Sequence, residues 1–418
     1  MSEQSASPST EPDRKALIFI LLTAFLNLAG IGLIGPVSPF LVSDYVSSPG
    51  DLAFVNGLLF TAYSLCQFLA LPGLGALSDR YGRRPILLVC LIGSAVGYLL
   101  FGIGGSLVML FLGRIIDGIT GGNLSVITAY IADLTSPTER TKYFGLVGAI
   151  AGFGFVVGPA LGGILAGWGG PTAPVYFAAV VTLVNVLWGY FVMPESLPED
   201  KRGDEITLEA LNPFGQLINI FQLPQLRWLL TAFFFVTVPF AVLQSNLSVL
   251  AKDSLNWRAE NVAYLFAVVG VIGIIVQGGL IRVLLRSIQE IYLAIAGVVL
   301  MIISFIMMAL IPSQPIETLM FASVAVFAIG NGLVTPSLTG LLSQMVGPRE
   351  QGRLQGGNQS VQALGRVIGP LWGGTVYTTI SASSTYWTGA IMFGVALLCV
   401  LVAMPTIQSV RSQTTGSS

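Results

Sequence analysis

Long apolar stretches alternate with short polar turns along the whole chain. A helix needs roughly 20 mostly apolar residues to cross a bilayer. Breaks at charges, Pro and Gly divide the sequence into twelve such stretches. Six run at about 16–42, 53–77, 86–104, 107–132, 143–166 and 174–193. Six more run at about 227–250, 260–281, 290–311, 317–345, 355–378 and 385–405. The longest polar stretch, PESLPEDKRGDEITLEALNPFGQLINIFQLPQLR, separates the two sets and holds six acids between Glu195 and Glu209. The pattern predicts an all-α membrane protein with twelve transmembrane helices in two six-helix pseudo-symmetric bundles. The expected divisions are a tail over 1–15, a bundle over 16–193, a linker over 194–226, a bundle over 227–405 and a tail over 406–418.

Composition sharpens this. Of 418 residues, 54% are hydrophobic and only 9% charged, where soluble domains carry about 25% charged residues. So few charges cannot cover a water-soluble surface of this size, so the expected surroundings are lipid. A net charge of −1 speaks against nucleic acid as a partner. Histidine is absent, which removes the usual switch near neutral pH and the commonest zinc ligand. Cys66, Cys90 and Cys399 sit in apolar runs and read as packing residues rather than disulfide or metal partners. The first apolar run is too long for a signal-peptide core and reads as a retained first span. No nucleophile–base pair, metal-ligand cluster or phosphate loop stands out. The reading is therefore not an enzyme, no cofactor, and no direct drive by ATP.

Charge placement sets the expected orientation. With the N-terminus in the cytoplasm, the cytoplasmic segments hold nearly all Arg and Lys, and the external loops hold only Lys252 and Arg258. That asymmetry follows the positive-inside rule and puts both termini in the cytoplasm. Short loops and compact length suggest a bacterial inner membrane and a monomer.

The two sets of spans repeat one another. SPTERTKYFG at Ser136–Gly145 pairs with GPREQGRLQG at Gly347–Gly356, 211 positions later. At the same offset Gly154, Gly158, Pro159, Gly162 and Gly163 meet Gly365, Gly369, Pro370, Gly373 and Gly374. LLTAF occurs at Leu21–Phe25 and again at Leu229–Phe233. Duplicated bundles flanking a midline cavity suit a solute that must cross the bilayer.

Several motifs carry a family resemblance. GALSDRYGRRP at Gly75–Pro85 gathers four charges in a short turn between spans 2 and 3. LGRIIDGITGGNLSVITAYIADLTSPTER covers span 4, GFGFVVGPALGG lies in span 5, and FLNLAGIGLIGPVSPFL lies in span 1. Together they resemble the major facilitator superfamily of transporters, most of all the tetracycline-efflux branch of the drug:proton antiporters. The resemblance implies alternating access, export of a small molecule, and exchange for protons. It also implies that the Gly75–Pro85 turn latches the two bundles in the outward-open state.

The residues can be read one by one beside that resemblance. In the turn, Gly75 and Gly82 permit tight backbone geometry, and Asp79 can pair with Arg83. Arg80 and Arg84, with Asp133 and Arg140 on the same side, complete the expected latch. In span 4, Arg114 and Asp117 are three apart and share a helix face. Charges at that depth are costly and usually face a bundle interior. Asp117 is the candidate proton-coupling group and Arg114 its partner; the alternative is a structural ion pair. Gly154, Gly158 and Gly162 form a smooth helix face beside Pro159, matched by Gly369 and Pro370, and read as a hinge or seal. Arg366 has no charged counterpart in the first half, where Phe155 stands. Together with Gln362 and Asn358 it is a candidate for substrate binding. Asn27, Gln67, Tyr63, Gln244, Asn246 and Asn331 are further candidates for a polar and aromatic wall.

Two departures from the efflux branch matter. Its members usually carry aspartates where this chain has Asn27 and Gly97. Arg114, Arg366 and Asp117 then leave a formal charge of plus one, favouring a neutral or anionic amphipathic solute. Two rival readings remain: a facilitator without proton coupling, and a non-transporting receptor or scaffold.

Overall fold

The computed structural model describes residues 14–135, 137–203, 211–346 and 351–415. The side chain of Arg140, much of the acid-rich linker and the 347–350 turn of the second repeat lie outside the described residues. No strand occurs among those that are described.

The first half begins with α1 (Arg14–Val42), α2 (Pro49–Tyr81) and α3 (Arg83–Ile103). The fourth span is split into α4 (Leu107–Gly121) and α5 (Leu124–Leu134), followed by α6 (Pro137–Gly169) and α7 (Ala173–Val192). In the linker, α8 (Pro213–Phe221) lies before the second half. That half comprises α9 (Arg227–Leu255), α10 (Ala259–Ile275), α11 (Ile281–Leu284), α12 (Glu290–Leu310), α13 (Glu317–Gln344), α14 (Gln351–Thr379) and α15 (Ala382–Thr415). Local chemistry sets many of these boundaries. Ser48 precedes Pro49 and accepts from the Asp51 amide, while Ser106 accepts from the Met109 amide. Gly82, at φ 101°, reverses the chain between α2 and α3 in one residue.

Ten spans among the described residues are long and apolar enough to cross a membrane. The long helices α6 and α14 occupy the fifth and eleventh places, so twelve crossings fit the fold. Large apolar side chains such as Val89, Leu187, Phe191 and Ile391 are exposed on the outside. That surface suits lipid, and helices satisfy every backbone group internally as lipid demands. The chain is an integral, multi-pass membrane protein.

Four elements differ from the apolar pattern. Gly121, Gly122 and Asn123 interrupt the fourth span; glycine is a poor helix former, and the Asn123 carbonyl accepts the Ile127 amide to restart the helix. The eighth span contains a π-turn over Val276–Leu280, where paired glycines loosen the backbone. The linker helix α8 starts on a cap, Asn212 accepting from the Phe214 amide, inside a stretch read as simply polar. The last helix runs ten residues past position 405, through a polar tail that helical propensity alone does not exclude.

The repeat is visible in packing. Glycines 154, 158 and 162 of α6 press on the backbone of Phe25, Ala29 and Leu33 in α1. In α14, Gly369 presses on the Val238 carbonyl of α9, while Gly365 and Gly373 press on the side chains of Thr237 and Val242. A Cβ on Gly154 would stand 2.6 Å from the Phe25 carbonyl, so only glycine allows this approach.

The halves meet where α1 ends and α2 begins. Thr378 donates to the Gly50 carbonyl at 2.7 Å, and Thr61 to the Val367 carbonyl at 3.1 Å. Ser248 donates to the Gly35 carbonyl, and buried Asn56 donates to the Ser245 carbonyl while accepting from Ser38. Gly163 of α6 lies against Ala263 of α10. Those contacts seal the end of the molecule that carries the α1–α2 and α9–α10 turns.

Candidate functional site

The ion pair on α4 is the most deeply buried charge among the described residues. Arg114 Nη1 stands 3.1 Å from Asp117 Oδ2, and the two residues are 1% and 2% exposed. The Arg114 guanidinium lies 4.1 Å from the centroid of the Tyr63 ring, with Phe60 and Phe101 at 5.7 and 5.9 Å. Its Nε and Nη2 have no hydrogen-bond partner among the described residues. The aromatic faces supply the attraction that hydrogen bonds do not.

Glycines make this burial possible. Gly118 presses α4 onto the Tyr63 backbone of α2, and Gly113 presses it onto α3. From the other side, a Cβ at Gly97 would come within 2.7 Å of the Asp117 Cβ. Position 97 is where the efflux branch carries an aspartate. Asp117 on the facing helix lies directly beside that position.

Tyr63 links the pair to the other half. It is within electrostatic reach of Asp117, Arg114 and Arg366. Gln67, one turn along, donates to the Tyr63 hydroxyl at 3.1 Å and to the Gly121 carbonyl at 2.9 Å. Arg366 and Gln362 are half-buried on α14, and no acid forms an ion pair with Arg366 among the described residues. Four expected residues thus assemble by direct contact: Tyr63, Gln67, Arg114 and Asp117.

The remaining candidates scatter. Asn27 donates to Asn123 within the first half. Asn246 is fully buried, with its Oδ1 accepting from Ser245. Asn358 is buried, Gln244 half-buried, and Asn331 accepts from Thr335 on α13. Nothing among the described contacts joins Asn246, Asn331 or Asn358 to the Tyr63 group. Asn56, Ser94, Asn123 and Asn185 escaped the sequence reading. For Asn123 the signal was present, since Gly-Gly-Asn inside an apolar run marks a helix break; the others are single polar residues with no spacing to betray them.

The charged turn is built around Arg83. Its guanidinium pairs with Asp79 at 2.5 Å and Asp133 at 3.2 Å, and donates to Ser78 at 2.7 Å. Ser196 also donates to Asp133. Glu195 accepts from the backbone amides of Arg83 and Arg84, which suits a carboxylate at a helix N-terminus. Arg84 donates to the Tyr190 carbonyl, and Arg80 lies over Tyr81. In this conformation these contacts tie α2, α3 and α5 to the segment after α7.

Two helical halves related by a repeat, joined across one end and carrying a buried ion pair within the first, define a membrane transporter. The chain belongs to the Major Facilitator Superfamily, whose sequence profile matches residues 20–370 and 290–417. It is 34% identical over 394 residues to the class C tetracycline resistance protein of Escherichia coli, covering 94% of this chain and 96% of that protein. It is 26% identical to multidrug resistance protein 2 of Bacillus subtilis, covering 87% and 90% of the two chains. The crystal structure of the human organic anion transporter MFSD10 (TETRAN) superposes with a TM-score of 0.69 at 26% identity, over 94% of this chain and 100% of that one.

Proposed function

We propose that the protein is a secondary transporter that exports a small amphipathic neutral or anionic solute in exchange for protons. The observation that carries this reading is the Arg114–Asp117 pair, held against Tyr63 and, through it, in electrostatic reach of Arg366. Asp117 exchanges the proton, Arg114 sets its affinity for it, and Arg366 attracts the solute from the opposite half. Asp117 is already neutralised by Arg114, which leaves Arg366 as the charge a solute meets; a cation is disfavoured there. Relatives that confer tetracycline resistance and one that transports organic anions both fit this class. With the termini in the cytoplasm of a bacterial inner membrane, the sealed end faces outward and the state seen here is inward-facing. The Gly75–Pro85 turn and Arg140 act as a latch, and the α6 and α14 glycines with Pro159 and Pro370 act as hinges. The working unit is a monomer.

A second reading has its own support. The pair is shut away from solvent in this state, as suits a structural ion pair in a facilitator without coupling. Purified protein in proteoliposomes separates the two. A panel of amphipathic drugs and organic anions is followed with and without an imposed pH gradient. Coupled transport accumulates solute only with the gradient; equilibration that ignores a pH step would sink the exchange reading and leave the facilitator.

A further inference from the structure

The linker helix α8 touches both α2 and α14, at the end of the molecule away from the seal. Toward the seal those two helices pack directly, in one antiparallel register. Thr378 donates to the Gly50 carbonyl, Gly374 presses on the Ala53 carbonyl, Gly57 presses on the Pro370 carbonyl, and Thr61 donates to the Val367 carbonyl. Continued along both helices, that register would set Phe68 of α2 opposite Ser360 of α14. Phe68 meets α8 instead: the Phe214 ring stands edge-on to it, with centroids 5.3 Å apart. Leu211, just before α8, reaches further along α2, where a Cβ at Gly73 would lie 3.6 Å from its Cδ2.

The two ends of α8 are held differently. At its C-terminal end, Ile220 is fully buried and fills the place of a side chain at Gly357 of α14, where a Cβ would come within 2.5 Å. Ile220 belongs to the core of the second half, and Leu217 and Phe221 pack against that core. Arg227 also donates to the Phe221 carbonyl at 2.9 Å. The N-terminal end has no such anchor: Leu211 and Phe214 touch α2 and remain partly exposed. Packed helices bring their axes to about 8–10 Å, and a helix is itself about 10 Å across, so α2 and α14 cannot pack on one another here while α8 stands between them. We propose that the start of α8 is a wedge. Leu211 and Phe214 hold α2 off α14 at this end, and α8 must swing out about its Ile220 anchor before the halves close there. This rests on the reading above of a transporter whose halves alternate.

The test is pulsed electron spin resonance on the full-length protein in lipid, with and without an imposed pH gradient, in a background lacking Cys66, Cys90 and Cys399. Spin labels on cysteines at Tyr81 and Ile288, both exposed at this end and one in each half, report whether the halves are apart or together. A second pair, at Gly215 and Ile288, reports whether α8 moves within its own half; a Cβ at Gly215 meets only Asn212, at 3.8 Å, so a label fits there. Leu211→Ala with Phe214→Ala strips the wedge and leaves Leu217, Ile220 and Phe221 in place. Phe68→Leu removes the ring from the α2 side and covers failure of the alanine variant to fold. The expected result is a ratio of short to long Tyr81–Ile288 distances raised at least about fivefold, the effect of losing one aromatic pair. The Gly215–Ile288 distance should change with the same population. A ratio that ignores the variants, or a closed population in which Gly215 has not moved, overturns the wedge alone. One unchanging Tyr81–Ile288 distance in every variant and under the gradient overturns the alternating transporter, and the wedge with it.

Discussion

Arg114 is held by two attractions of different range, one to a carboxylate and one to aromatic faces. Breaking a buried pair by removing one member strands a charge and costs about 3–5 kcal/mol, whereas removing both can be nearly neutral. Arg114→Leu is therefore expected to lower the unfolding temperature sharply in detergent, and Arg114→Leu with Asp117→Leu to recover most of it. Equal loss in the double variant would show that the pair is not what stabilises this junction. Tyr63→Leu removes the nearest ring and should cost about 2 kcal/mol, with Tyr63→Phe close to neutral. At Arg366 the prediction concerns affinity. Arg366→Gln should raise KM for anionic members of a solute panel at least about tenfold, the effect of one lost charge-assisted hydrogen bond, and spare neutral ones. An equal change for both would remove Arg366 from solute recognition.

At the scale of helices, the contact between α3 and α4 makes a sharper claim: one carboxylate position is served from either helix. Gly97→Asp alone should fail, because the new Cβ meets Asp117. Gly97→Asp with Asp117→Gly should restore gradient-driven transport that Asp117→Gly loses. Inactivity of the double variant would mean that the site depends on which helix carries the acid. Across α1 and α6, Gly158→Val drives a side chain into the Ala29 backbone and should cost at least about 2 kcal/mol, read as lost thermal stability. Much of this level was legible in the chain. Spans follow from apolar length, and the glycine faces of α6 and α14 follow from matched offsets in the repeat. The helix break at Gly121–Asn123 was legible only as the Gly-Gly-Asn that interrupts an apolar run, and the π-turn over Val276–Leu280 was not legible as such, because a glycine pair in a long apolar run does not tell a π-turn from a continuous helix. Asn56 and Asn185 were hidden for another reason. An isolated asparagine in an apolar run has the same local sequence whether it bonds across halves, as Asn56 does, or within one, as Asn185 does.

For the whole molecule, the two halves and their junction were visible in the repeat, but which end is sealed was not. That depends on contacts between residues hundreds of positions apart, such as Thr378 with Gly50. Cysteines at those two positions, in a background lacking Cys66, Cys90 and Cys399, should crosslink readily and stop transport until reduced. Unimpaired transport with the crosslink in place would show that this seal need not open. The account as a whole stands on coupling at one acid. The most direct measurement compares wild type with Asp117→Asn in proteoliposomes, reading gradient-driven accumulation and solute–solute exchange in the same preparation. Loss of accumulation with exchange retained is the predicted result; accumulation that survives the substitution would contradict it.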